Sequence, residues 1–238
     1  MSNELVANVS NETIAALDKA AADGALAQRE VSQFKRTMMT AGVITTLRNL
    51  LTPKIMEPIM ALQNTSLGFR TDNLNGYPVD VVKDALIEAT FKGVYPVGNE
   101  FNIIAGRCYI TKEGYFHKLS DIPEFSWIEV PSIPRNIGEA GAVVEVSLEW
   151  TLKGKKFERK LNFAIRVNKG GMGADAIIGK AIRKARAWLY TTVTGQEIGD
   201  GDVEGDAEII DIKAEPAKES PFEQKPEDVE EITDELPM

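Results

Sequence analysis

VVEVSLEWTLKGKKFERKLNFAIRV, residues Val143 to Val167, is the stretch on which the fold turns. Val143, Val146, Leu148, Trp150 and Leu152 lead into Lys153-Gly154-Lys155-Lys156, and Phe157, Leu161, Phe163, Ile165 and Val167 then alternate with polar or small residues. Apolar alternation on both sides of a Lys-Gly break is the pattern of a β-hairpin, here with a basic tip. Gly170-Gly171-Met172-Gly173 follows as a flexible join. From Ala174 to Thr192 the period changes. Ile178, Ala181, Ile182, Ala185 and Leu189 fall on one side of a helix, Lys180, Arg183 and Lys184 on the opposite side, and Arg186 on the flank. Strands followed by a one-sided helix predict an α+β fold: a small antiparallel β-sheet with packed helices.

Upstream, Asn75-Gly76-Tyr77-Pro78 is a turn, and Val79, Val82, Leu86 and Ala89 repeat as a helical face closed by Gly93 and Pro96. This predicts a helix from Pro78 to Lys92. Phe101 to Thr111 is rich in Ile, Phe and Tyr, Lys112-Glu113-Gly114 reads as a turn into a second strand at Tyr115-Phe116, and Phe125 to Val130 is a further strand. From Val31 to Leu62, Phe34, Met38, Val43, Leu47, Leu50 and Leu51 recur at helical steps, interrupted by Pro53 and Pro58, as a core or oligomer surface. Residues 1–30, without a bulky apolar set, read as an arm or short helix.

The chain has 238 residues, 43% hydrophobic and 26% charged, enough to bury a sizeable core. No apolar run reaches the roughly 18 residues of a membrane span, and no basic start leads into an apolar segment, so a cytoplasmic protein is expected. The single cysteine, Cys108, excludes an intrachain disulfide. The formal charge of −9 hides an asymmetry. Glu197 to Met238 carries 16 Asp/Glu against 3 Lys, whereas Lys153 to Arg186 carries 11 Lys/Arg against Glu158 and Asp175. A basic segment beside an acidic tail points to nucleic acid for the first and to competition or partner binding for the second. Beyond Gly195 the chain lacks the large apolar residues needed to offset ordering entropy, which predicts a disordered acidic tail over 196–238. The remaining body, 31–195, is then the DNA-binding and oligomerisation domain.

Catalytic readings fall away on spacing. Gly173 to Lys180 suggests a phosphate loop, but five residues separate Gly173 from Gly179 and Ala181 stands where a Ser/Thr would ligate magnesium. His117 has no nucleophile beside it. Asp80 and Asp84 are one helical turn apart, yet Asp80 in a first turn complements the helix dipole. No enzyme activity and no cofactor are expected. Single-stranded DNA binding needs cations along the phosphates and flat rings for the bases. Lys153, Lys155, Lys156, Arg159 and Lys160 of the hairpin, Lys180, Arg183, Lys184 and Arg186 of the late helix, and Arg107 and Lys112 are the candidate phosphate contacts. Among Tyr109, Tyr115, Phe116, Trp188 and Tyr190, the pair Tyr115 and Phe116 are the candidate stacking groups.

The helix ending in Gly93-Val94-Tyr95-Pro96, the strand pair carrying Glu113-Gly114-Tyr115 and the late helix carrying Lys180-Ala181-Ile182 resemble, over residues 75 to 193, the RecT/Red-beta family of bacteriophage single-strand annealing proteins. In that family a helix closing on Gly-Leu-x-Pro precedes a β-hairpin with Gly-Tyr or Gly-Trp, and a Lys-Ala-apolar helix comes late. Val94 stands where the family prefers Leu, and Arg183 and Arg186 do not coincide with its arginines, so the resemblance carries over only Lys180 as a DNA contact. It implies a ring- or filament-forming protein that anneals complementary strands without ATP in a bacterial host cell. Asp234-Glu235-Leu236-Pro237-Met238 is similar to the acidic tip of bacterial single-stranded-DNA-binding protein, with Met238 in place of Phe. That likeness implies recruitment of a phage exonuclease or a host replication or repair protein. Two other expectations stand beside this one: an OB-fold single-stranded-DNA-binding protein, and a phage structural or adaptor protein whose basic stretch is a solvated face.

Overall fold

A computed structural model describes residues 9–138, 141–167, 172–196, 198 and 209–210. In chain order they form α1 (Asn11–Arg29), α2 (Gln33–Leu50), α3 (Pro53–Met60), α4 (Val79–Lys92), β1 (Phe101–Ile104), β2 (Arg107–Ile110), α5 (Lys112–Ser120), β3 (Phe125–Pro131), β4 (Arg135–Gly138), β5 (Gly141–Leu152), β6 (Lys155–Arg166), α6 (Ala174–Thr194) and β7 (Ile209–Ile210). The fold is α+β with two antiparallel sheets. One is the β1–β2 hairpin; in the other β3, β5, β6 and β7 lie in that order, and β4 continues the β3 side of β5. Both sheets are open, so the described residues form no OB barrel.

The hairpin at the centre of the larger sheet is as the alternation predicts. β5 and β6 pair over twelve residues each, and the turn puts Lys153 and Gly154 at φ 48° and 76°. Two successive positive φ values match the right-handed strand twist, and Gly154 takes the second without strain. Ala142, Val144, Val146 and Leu148 of β5, with Leu161, Phe163 and Ile165 of β6, form one buried face. α6 lies on that face, and Ala181 and Ala185 let it approach closely. α4 also runs as expected. Gly93 in the left-handed region (φ 66°) ends it, and the Val94 amide donates to the Ala89 carbonyl. It sits between α1, α2 and α3 on one side and β1–β2 on the other.

Three local expectations are corrected. Residues 11–29, read as an arm or short helix, form a 19-residue helix that packs through Ala20, Gly24 and Ala27 rather than bulky groups. A Cβ on Gly24 would stand 3.3 Å from Phe91. Phe101–Thr111 is a complete hairpin turning at Ala105 and Gly106, not one strand. Lys112-Glu113-Gly114 opens helix α5 instead of a strand turn. The Thr111 hydroxyl accepts from the Gly114 amide as an N-cap, and Gly114 brings the helix against the Glu100 carbonyl, 2.1 Å from where a Cβ would lie. His117 therefore stands on a helix, its Nδ1 2.8 Å from the Glu100 carboxylate.

Of the apolar residues between Val31 and Leu62, Val43, Leu47 and Leu51 are in the core while Phe34 and Met38 are exposed. The join at 168–171 lies outside the described residues. So does the acidic tail apart from Gln196, Ile198 and β7, which pairs with Asn162 and Phe163 of β6. Among the described residues no helix is long and apolar enough to cross a membrane.

Candidate nucleic-acid interface

Strand alternation divides the basic hairpin between two faces. Lys156, Glu158 and Lys160 point to the outer face together with their β5 neighbours Glu145 and Glu149, so cations and acids alternate there. Lys155, Phe157 and Arg159 point to the α6 side. Lys153, Lys155, Lys156 and Lys160 are exposed, and Arg159 is half-buried beside Leu148.

The cationic outer face predicted for α6 is corrected. The residues meeting the core are Ile177, Ala181, Ala185 and Leu189, while Ile178 and Ile182 are half-buried. The helix is thus covered on two sides, by the sheet below and by α5 and the β1–β2 hairpin laterally. Arg183 faces the second side. It is 3% exposed, with its guanidinium carbon 4.3 Å from the centre of the Tyr109 ring. Lys180 and Lys184 are half-buried.

Arg186 is also drawn inward. Its Nε donates to both carboxylate oxygens of Glu129 at 2.9 and 3.0 Å, its second nitrogen bonds the same carboxylate, and its third donates to the Lys112 carbonyl at 2.6 Å. The guanidinium also lies 5.1 Å over the Phe116 ring. It ties α6 to β3 and α5, and its charge is neutralised there. Lys118 is a further inward cation: it donates to the Lys92 carbonyl at the end of α4, lies over Tyr190, and burial lowers its pKa. Arg107 is exposed, 3.9 Å from Glu88, and Lys112 is partly exposed beside Glu113.

A cleft of about 430 Å³ brings three of the candidate cations together. β1–β2 supplies Asn102, Ile104 and Tyr109; Thr111, Lys112 and Glu113 come from the start of α5; Gly179, Lys180 and Arg183 come from α6. Asn99 closes one end with a buried side-chain oxygen that has no hydrogen-bond partner among the described residues. Lys112, Lys180 and the side-chain amides in an open cleft suit a phosphate backbone, with Glu113 the one opposing acid among the described residues that line it and one face of the Tyr109 ring covered by Arg183. The hairpin tip does not share this cleft. It lies by the other end of α6, where Trp188 meets Trp150, about 12 Å along the helix axis from Lys180.

Of the two candidate stacking residues, Tyr115 is corrected: at 2% exposure, tilted against Tyr190, it is core. Phe116, one residue on, is 50% exposed. Sequence reasoning missed Asn99, Asn102 and the aromatic pair Phe125 and Trp127. The alternation Phe125, Trp127, Glu129 on β3 carried the signal for that pair, since it places all three on one face. Asp234, Glu235, Leu236, Pro237 and Met238 lie outside the described residues. Among the described residues no group of His, Cys, Asp and Glu is placed to hold a metal. No protein-family model, curated protein or solved structure matches this chain.

Proposed function

We propose that this protein binds single-stranded DNA without sequence preference and, as an oligomer, anneals complementary strands without ATP. The observation that carries the reading is the cleft in which Lys112 of α5 and Lys180 of α6 converge, with Arg183 buried in its wall over Tyr109 of β2. Cations that neutralise phosphates supply affinity independent of sequence, and holding two coated strands together raises their local concentration. Leu26, Val31, Phe34 and Met38, exposed on α1, α2 and the turn between them, are the apolar surface that self-association would cover. The sequence resemblance to RecT/Red-beta annealing proteins rests on the Gly93-Val94-Tyr95-Pro96 helix end and Lys180-Ala181-Ile182, since Glu113-Gly114-Tyr115 lies in helix α5 and not in a strand; with the acidic tip it would extend the reading to a host-cell cytoplasm and to a phage exonuclease or a host replication or repair partner.

The test is a binding titration with fluorescent oligonucleotides of two unrelated sequences, paired with an annealing assay on complementary strands without nucleotide. Affinity should be equal for the two sequences and fall steeply between 50 and 200 mM salt, by about 300-fold if six phosphates of a single strand are neutralised. Annealing should exceed the protein-free rate. Salt-independent binding, or binding without faster annealing, overturns the proposal.

A further inference from the structure

The three-strand register aligns aromatic residues at the hairpin end of the larger sheet. Trp127 of β3 stands opposite Trp150 of β5, which stands opposite Phe157 of β6, so all three share the α6 face. Trp150 is closed in, stacked on Phe157 at 5.5 Å and met edge-on by Trp188. Trp127 is more open. It stacks on Phe125 at 5.6 Å and takes the edge of Phe116 at 5.2 Å. Phe116, Phe125 and Trp127 line a shallow hollow floored by Arg186 and Glu129, with Ser120 and Ser126 on its rim.

The charges around the hollow nearly cancel, and the cations that would hold a strand stand at its two ends, Lys112 of the cleft and Lys155 of the hairpin. Glu129 is neutralised by Arg186. Glu149 and Glu158 point to the opposite face of the sheet, whereas Lys155 shares the aromatic face in the row of Phe125 and Leu152. Glu124 is the acid at the near edge, and the Lys153 amide donates to its carbonyl. α5 links the hollow to the basic cleft, because Lys112 at its start lines the cleft and Phe116, about 6 Å further along the axis, lines the hollow.

We infer that Phe116, Phe125 and Trp127 form a stacking platform for the unpaired bases of a single DNA strand whose phosphates run from the cleft along α5 to Lys155 at the hairpin tip. The inference rests on the single-strand reading above and adds the part that reads bases. Flat rings take any base by its face. Pairing edges stay free, which is what annealing of a second strand requires.

The experiment compares a thirty-residue oligo(dT) with an abasic strand of the same length at low salt, with the full chain as parent, Phe116→Leu, Trp127→Leu and Trp127→Phe. The parent should bind oligo(dT) about tenfold more tightly than the abasic strand, and only oligo(dT) should quench its tryptophan fluorescence. Phe116→Leu and Trp127→Leu should bring oligo(dT) toward the abasic affinity and leave abasic binding unchanged, while Trp127→Phe recovers most of the difference. Equal parent affinity for the two strands overturns the platform but leaves single-strand binding intact; binding of neither overturns the underlying reading. An undiminished preference for oligo(dT) in folded Phe116→Leu also overturns the platform. So does a change of oligomer mass in that variant without a change in the preference, which would make the hollow a contact between copies. If Trp127→Leu fails to fold, Phe116→Leu and the parent's contrast between strands still decide.

Discussion

Arg183 of α6 lies over the ring of Tyr109 of β2, 4.3 Å from its centre, and this contact joins the β1–β2 hairpin to the helix that covers the larger sheet. A guanidinium on an aromatic face contributes about 0.5–2 kcal/mol, toward the upper end where water is excluded. Arg183→Ala should lower the unfolding free energy measured in urea by about 2 kcal/mol, and Arg183→Lys should recover less than half, since an ammonium is not planar. A double-mutant cycle with Tyr109→Leu measures the coupling, and a coupling near zero would remove Arg183 from the list of structural contacts.

Helix α6 was legible in the sequence and its contact with Tyr109 was not, for one reason. Helical periodicity registers a stripe of apolar residues, and Ala181, Ala185 and Leu189 are such a stripe. The second covered side is completed by Tyr109, over seventy residues away, and an aromatic ring can cover a cation, so nothing near Arg183 marks it as buried. The β5–β6 hairpin and α4 were legible because their signals are local: alternation around Lys153-Gly154, and Pro78 and Gly93 at the two ends of a helix. α5 was misread because Gly114 looks like a turn glycine, although close approach to the Glu100 carbonyl is what requires it. Tyr115 and Phe116 are adjacent and both aromatic. Only the direction of the helix separates core from surface.

Glu129 and Arg186 are nearly buried, with 13% and 14% of their side chains exposed. Removing one partner leaves an uncompensated charge, so Glu129→Gln should cost about 3 kcal/mol or more. Replacing both, as Glu129→Leu with Arg186→Met, should return stability to within about 1 kcal/mol of the parent. Denaturant unfolding of the single and double variants checks this. A double variant as unstable as the singles would mean that the Arg186 bond to the Lys112 carbonyl, not the ion pair, is what matters.

Two glycines make opposite predictions. A Cβ at Gly114 would fall 2.1 Å from the Glu100 carbonyl oxygen, a backbone atom that cannot swing away, so Gly114→Ala should destabilise by about 3 kcal/mol. A Cβ at Gly179, inside α6, meets nothing within 4 Å, and Gly179→Ala should stabilise by about 0.5–1 kcal/mol. Thermal melts of the two variants should move in opposite directions.

Burial raises the Cys108 thiol from 9.0 to about 12, with Lys92 opposing and Glu88 assisting. The folded protein therefore keeps this proton through a range in which the unfolded chain has lost it. Its contribution to stability is intact below pH 9 and declines between pH 9 and 12, by up to about 1.4 kcal/mol per pH unit. Parent and Cys108→Ala melting temperatures, compared from pH 8 to 11, should converge as pH rises. A thiol reagent at pH 8 should react with one equivalent in urea and with almost none in buffer; rapid reaction in buffer would show that Cys108 is reachable in the native state.

The two groups of lysines separate the cleft from the hairpin tip. Lys112 and Lys180 line the cleft, while Lys153, Lys155 and Lys156 stand exposed about 12 Å of helix length away, so one strand must be long enough to touch both. Each phosphate contact removed should lower the salt slope by about 0.7–0.9. For a thirty-residue strand, Lys112→Ala with Lys180→Ala should reduce the slope by about 1.5, and Lys153→Ala, Lys155→Ala and Lys156→Ala together by about 2. A two-residue strand, with its phosphates about 3.4 Å apart when stacked, is too short to lie along the cleft, α5 and the tip together, and only the cleft pair should affect its binding. None of these side chains is buried in the core, so all variants should melt close to the parent. If the tip variant alone changes the short-strand affinity, the hairpin is the primary site and the cleft is secondary.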